Sequence, residues 1–121
     1  MDAELEARAQ GGDAEAQFRL GQMLLHGLGV TFDEAAGLDW YHRAAAQGYE
    51  RAQFALGEVY KEGRVTPQDL IQASMWLSIV IQGGGDLALA ARESHDHLAP
   101  YLTPEQSHEA ASRTGAWTPS S

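Results

Sequence analysis

Residues 16–48 of this chain, AQFRLGQMLLHGLGVTFDEAAGLDWYHRAAAQG, are restated 36 positions later as AQFALGEVYKEGRVTPQDLIQASMWLSIVIQGG, residues 52–84. Ala16 falls on Ala52, Gln17 on Gln53, Phe18 on Phe54, Leu20 on Leu56 and Gly21 on Gly57. Gly27 falls on Gly63, Asp33 on Asp69, Trp40 on Trp76 and Gly48 on Gly84. A self-match at one offset over such a length, with a period in this range, signals a helical solenoid. Each copy is one supersecondary unit that buries its apolar face only against a neighbour. The expected fold is therefore all-α, a short α-solenoid of helix-turn-helix repeats closed by a C-terminal capping helix pair.

The pattern places the helices. Residues 2–10 read as a short helix ending at Gly11-Gly12. At the same offset Ala9 maps onto Ala45 and Gly12 onto Gly48, so this piece corresponds to the tail of a second helix. Asp13 can cap the next helix, which runs to about His26 with Ala16, Leu20, Gly21 and Leu24 on its apolar stripe and Met23 beside it. A glycine inside a helix costs about 1 kcal/mol against alanine, so its recurrence at 21 and 57 points to closely approaching helix backbones. Thr31 with Glu34 reads as a capping box for the following helix. That helix sets Ala36, Trp40, Ala44 and Gln47 on one face, with Tyr41 and Ala45 alongside. In the second copy Thr66 and Pro67 suggest the same start, with proline at the first helical position. Ile71, Trp76, Leu77, Ile79, Val80 and Ile81 make that helix the most apolar one, expected to be covered on both sides.

After Gly83-Gly84-Gly85 the register is lost. Residues 86–102 still show helical spacing through Leu87, Ala90, Ala91, Ser94, Leu98 and Tyr101. Thr103-Pro104-Glu105-Gln106 forms a third start signal. The last helix carries a thin stripe of Ala110, Ala111, Thr114 and Trp117, with Gly115 placed to stop it, as the polar end of a solenoid requires. It is expected to cover the apolar side of helix 86–100. The expected organisation is one repeat domain over 1–121: a partial repeat helix at 1–12, repeats at 13–48 and 49–84, a degenerate unit with its cap at 85–117, and a loose tail at 118–121.

Composition narrows the function classes. Asp and Glu number 17 against 8 Lys and Arg, for a net charge of −9. That balance repels phosphate backbones and anionic lipid, which argues against nucleic acid and membrane surfaces as partners. No run of about 18 apolar residues offers a membrane span. The first ten residues, MDAELEARAQ, have no apolar run behind a basic start. The expected location is cytoplasmic, or periplasmic or secreted had a signal peptide been removed. There is no cysteine, so disulfides and thiolate metal sites are not available.

No catalytic pattern, metal set or cofactor motif emerges. His95 and His97 are two apart on a helix and point to different faces, and His26, His42 and His108 stand apart in sequence. The serines at 74, 78, 94, 107 and 112 lie on helices without a nucleophile elbow. Gly83–Gly85 lacks the Lys-Ser/Thr of a phosphate loop. The carboxylates are spread as a solvated face.

The combination of AQ-x-x-LG, G-x-G-V, a following Asp and WY-x-x-AA-x-QG resembles the Sel1-like repeat, the longer-period relative of the tetratricopeptide repeat. The residues that carry it are Ala16-Gln17, Leu20-Gly21, Gly27 to Val30, Asp33, Trp40-Tyr41, Ala44-Ala45 and Gln47-Gly48. The second copy keeps Ala52-Gln53, Leu56-Gly57, Tyr60, Gly63, Asp69, Trp76 and Gly84. It departs at Arg64-Val65 and at Leu77, which stands where the first copy has Tyr41. The resemblance implies a non-catalytic scaffold that holds a partner protein or peptide on the concave face of a superhelix, in signalling, protein quality control or, among bacteria, host contact. The alternative from another class is an enzyme or small-ligand binder with a pocket between helices.

One stripe of each first helix differs between the copies: Glu15, Arg19, Gln22 and His26 against Arg51, Ala55, Glu58 and Glu62. In the related tetratricopeptide architecture the first helices line the concave face, so this stripe is the candidate groove. With barely two full repeats the groove is short. It suits one peptide segment, or two copies that associate as a homodimer to lengthen it.

Overall fold

The computed structural model describes residues 3–120, and among them every regular element is helical. Asp2, expected in the first helix, and Ser121, expected in the tail, lie outside the described residues. The elements in order are α1 (Ala3–Gln10), α2 (Ala14–His26), α3 (Glu34–Ala46), α4 (Glu50–Glu62), α5 (Leu70–Gly83), α6 (Ala88–Leu98), a 3-10 turn (Ala99–Tyr101) and α7 (Pro104–Ala116). They fall into two compact units, Met1–Ala52 with Pro119–Ser121, and Gln53–Thr118.

In the first unit α2 begins where Asp13 accepts the Ala16 N–H at 3.0 Å. That bond and the Arg8 guanidinium at 3.1 Å hold the Asp13 carboxyl below its ordinary range. The helix ends at Gly27, whose left-handed φ of 65° lets the turn close back on Met23. Leu5 and Ala9 of α1 pack with Ala16 and Leu20 of α2, and Met23, Leu24 and Trp40 cover this cluster. Phe18 stacks on Tyr41 at 5.1 Å and meets Tyr49 at 5.5 Å. Burial of Tyr41 pushes its phenol up to about 12.

Both second helices start later than the threonines suggested. The cap of α3 is Asp33, which accepts the Ala36 N–H at 3.1 Å, and the cap of α5 is Asp69, which accepts the Gln72 N–H at 3.0 Å. Thr31 and Pro67 lie in the loops before them. The cause is a bond across each hairpin. The Asp33 N–H donates to the Leu24 carbonyl at 3.0 Å, and the Asp69 N–H to the Tyr60 carbonyl at 3.0 Å. Each bond holds its aspartate extended, with φ near −151° and −139°, and that backbone aims the carboxylate at the helix start.

In the second unit α5 packs against both α6 and α7. Its Ala73, Trp76, Leu77, Ile79 and Val80 are buried, while Ile71 and Ile81 are half-buried. Thr103 and Gln106 form the reciprocal capping box of α7. That helix turns Ala110 and Thr114 inward and sets Trp117 edge-on to Trp76 at 6.3 Å. It packs on α5, rather than serving as the expected cover of α6, and Gly115 lies within it instead of ending it. Ala111 faces solvent. Tyr101, expected on the inner stripe of helix 86–102, is 76% exposed. The tighter 3-10 turn carries it off that face.

Candidate partner-binding surface

The first-helix stripe consists largely of solvent-facing side chains. Glu15, Arg19, Gln22 and His26 are exposed along α2, as are Arg51 and Glu62 on α4. The structure brings Glu15 and Arg19 together as an ion pair one helical turn apart, at 3.6 Å. Glu62 pairs with Arg64 at 3.4 Å. Exposed pairs of this kind contribute about 0–1 kcal/mol, so a partner could replace either at little cost.

Ala55 is half-buried, and Glu58 differs from the exposed members of the stripe. It is half-buried and pairs with Lys61 at 3.2 Å. The Ser94 hydroxyl of α6 donates to its carboxylate and accepts from Lys61 at 2.6 Å. Beside this cluster the Ser74 hydroxyl meets His95 Nε2 at 2.7 Å, and burial pushes the His95 imidazole below its ordinary value. These bonds attach α6 to α4 and α5. They engage both buried serine hydroxyls, so neither is presented as a free nucleophile.

Next to it is a cleft of about 360 Å³ lined by Lys61, Gln68, Leu70, His97, Leu98 and Tyr101. Its imidazole is His97, whereas His95 bonds to Ser74 outside the cleft lining. Among the described residues no three His, Asp or Glu side chains are grouped as a metal ion would require, and no helix is long and apolar enough to cross a membrane.

A second polar device lies in the first unit, built on glutamines that the repeat motif carries at 17 and 47. Gln17 is buried, donates to the Ala9 carbonyl at 3.0 Å and accepts from Gln47 Nε2 at 2.9 Å. Gln47 Nε2 also donates to the Gly12 carbonyl at 2.9 Å. The ends of α1 and α3 are thereby pinned to the start of α2. The available signal was the recurrence of glutamine, at 17 and 53, on an otherwise apolar stripe.

Comparison with known proteins agrees with this architecture. The Sel1 repeat matches residues 14–49 and 50–79. Over 60 residues the chain is 37% identical to an ERAD-associated E3 ubiquitin-protein ligase component of Arabidopsis thaliana, spanning 49% of this chain and 9% of that protein. Over 47 residues it is 43% identical to chitin synthase regulatory factor 3 of Schizosaccharomyces pombe, spanning 39% of this chain and 5% of that one. Among solved structures, a protective antigen of uropathogenic Escherichia coli with an SLR fold superposes with a TM-score of 0.84 at 33% identity, over 93% of this chain and 24% of that one. A Sel1 repeat protein from Oxalobacter formigenes gives 0.66 at 25% identity, over 94% and 96%. The 36-residue period, the paired helices and the two matched repeats together establish that this chain belongs to the Sel1 repeat family.

Proposed function

We propose that this chain is a non-catalytic scaffold that holds a protein or peptide partner on the exposed stripe of its first helices. One contrast carries the reading. Ala16, Leu20 and Gly21 of α2 are buried and recur in α4 as Ala52, Leu56 and Gly57, also buried. The neighbouring stripe of Glu15, Arg19, Gln22 and His26 is exposed and does not recur. Positions that every repeat packs alike stay alike, and positions free of that constraint are where a partner can be read. The relatives fit this role by their names, one a component of a ligase and one a regulatory factor. The net charge of −9 favours a partner with basic groups.

The test is capture of partners from lysate by wild type and by a double variant, Arg19→Glu with Glu62→Lys. Exposed substitutions typically change stability by less than about 0.5 kcal/mol, so the variant should fold. It should lose the captured partner. Undiminished capture by the folded variant would move the site off this stripe.

A second reading, small-ligand binding, is favoured by the cleft at Lys61, Leu70 and Tyr101, whose 360 Å³ lies in the range of ligand pockets. A fragment screen by NMR that shifts Leu70 and Leu98 signals would support it, and silence at those signals would remove it.

A further inference from the structure

The last turn of α3 leaves carbonyls without helical donors. Ala44 O accepts from Gln47 and Tyr49, and Ala45 O accepts from Gly48. Ala46 O is satisfied from 74 residues away. The Ser120 N–H donates to it at 2.7 Å, and the Ser120 hydroxyl reaches it at 3.2 Å. Pro119 lies against the bare face of Gly48, where an added Cβ would stand 3.8 Å from Pro119 Cβ. The backbone at Gly48 has φ of 92°, which keeps that face free of a side chain.

Ser120 forms only one wall of a cleft of about 500 Å³, whose other walls are Gly11, Gly12, Gln17, Arg43, Ala46 and Gln47. The floor is held in place before any ligand arrives. Gln17, 5% exposed, is locked between Ala9 O and Gln47, and Gln47 is locked onto Gly12 O. Two glycines on the rim leave the backbone open to close approach. The cleft thus combines a helix-end acceptor at Ala46 with an open volume beside Ser120, and Gly48 next to Gln47 gives Pro119 a contact free of a side chain.

We propose that this cleft is a binding site for an extended peptide segment containing Pro-Ser, and that the chain's own Pro119–Ser120 is its resident ligand. The proline fixes its own φ and holds the preceding residue extended, so the segment arrives with little entropy left to lose. The following N–H bonds the Ala46 carbonyl. A segment from another protein would make the same bond, and side chains of its own that reach Arg43 would fill the volume left open beside Ser120. This site is separate from the α2 and α4 stripe and does not depend on it.

The test uses the full chain and the probe acetyl-Thr-Pro-Ser-Ser-amide. Ser120→Pro removes the resident N–H and hydroxyl, whereas Ser120→Ala keeps the N–H and serves as control. Titration followed by amide and side-chain NMR should show the probe binding Ser120→Pro at least about tenfold more tightly than wild type or Ser120→Ala, since an intramolecular ligand competes at high effective concentration. The shifted signals should be those of Gln47, Gly48 and the Gln17 side-chain amide. Equal affinity for all three proteins, binding to none, or shifts confined to other residues would overturn the proposal.

Discussion

Gly21 lies under the ring of Tyr41 so closely that a Cβ added to it would stand 2.5 Å from Tyr41 Cδ1 and 2.9 Å from the Gly37 carbonyl oxygen. The approach is mutual, since a Cβ on Gly37 would meet the Gly21 carbonyl at 2.9 Å. The second repeat relaxes it. Ala73 replaces Gly37 at the 36-residue offset, and a Cβ on Gly57 would meet Leu77 Cδ2 at 2.7 Å but the Ala73 carbonyl only at 3.6 Å.

The two glycines therefore predict different costs. Gly21→Ala meets backbone and a buried ring, so overpacking of about 1–3 kcal/mol outweighs the roughly 1 kcal/mol of helix propensity gained. Gly57→Ala meets the fully buried Leu77 at Cγ and Cδ2 but keeps ordinary contact with backbone, so it should cost less than Gly21→Ala, while Gly57→Leu should cost about 1–3 kcal/mol or more. Urea titration decides. Gly21→Ala as stable as wild type, or Gly57→Leu neutral or stabilising, would show that these helices are not closely packed at the glycines.

The capping aspartates should each be worth about 1 kcal/mol, the usual loss when a helix N-cap becomes alanine. Asp33→Ala and Asp69→Ala should lower the urea midpoint, and Thr31→Ala should leave it nearly unchanged. A larger loss from Thr31→Ala than from Asp33→Ala would restore the threonine as the cap.

These caps show how far the sequence could be read. The period, the helix pairing, the close-packing glycines and the cap at Thr103 were legible, because each is local or is repeated. Asp33 displaced Thr31 because its N–H is bound to Leu24 across the hairpin, a contact no local signal reveals. Tyr101 left the inner stripe where an α-helix became a 3-10 turn. The tail was expected to be loose over 118–121, yet Ser120 bonds to Ala46, a partner 74 residues distant. On the candidate stripe the exposed members were legible from the repeat alone. The commitment of Glu58 to Ser94 was not, since the register is lost before Ser94.

Stability should fall as pH drops through about 6.5. Burial pushes both His42 and His95 below their ordinary value of 6.5, with Asp39 and Asp96 opposing in part. Between the folded and ordinary values the unfolded chain binds more protons, so this contribution is full above 6.5 and is lost as the pH falls toward the folded values. Urea titrations at pH 7.5 and 5.5 should show a smaller loss for His95→Gln than for wild type. An equal loss in both would show that His95 takes no part.

Trp117 anchors the end of the second unit through its edge-on contact with Trp76. Trp117 is half-buried, so Trp117→Ala should cost about 1–3 kcal/mol, less than a fully buried aromatic would. Calorimetry should show a lowered Tm. An unchanged Tm would mean that α7 is held by Ala110 and Thr114 without it.

The proposed partner site on the first-helix stripe is open to direct test. Its most direct test is photocrosslinking from a benzoylphenylalanine placed at Gln22, on the stripe, and separately at Ser112, exposed on α7. The scaffold reading predicts a covalent adduct with the captured partner from position 22 and none from position 112. An adduct from position 112, with none from position 22, would contradict it.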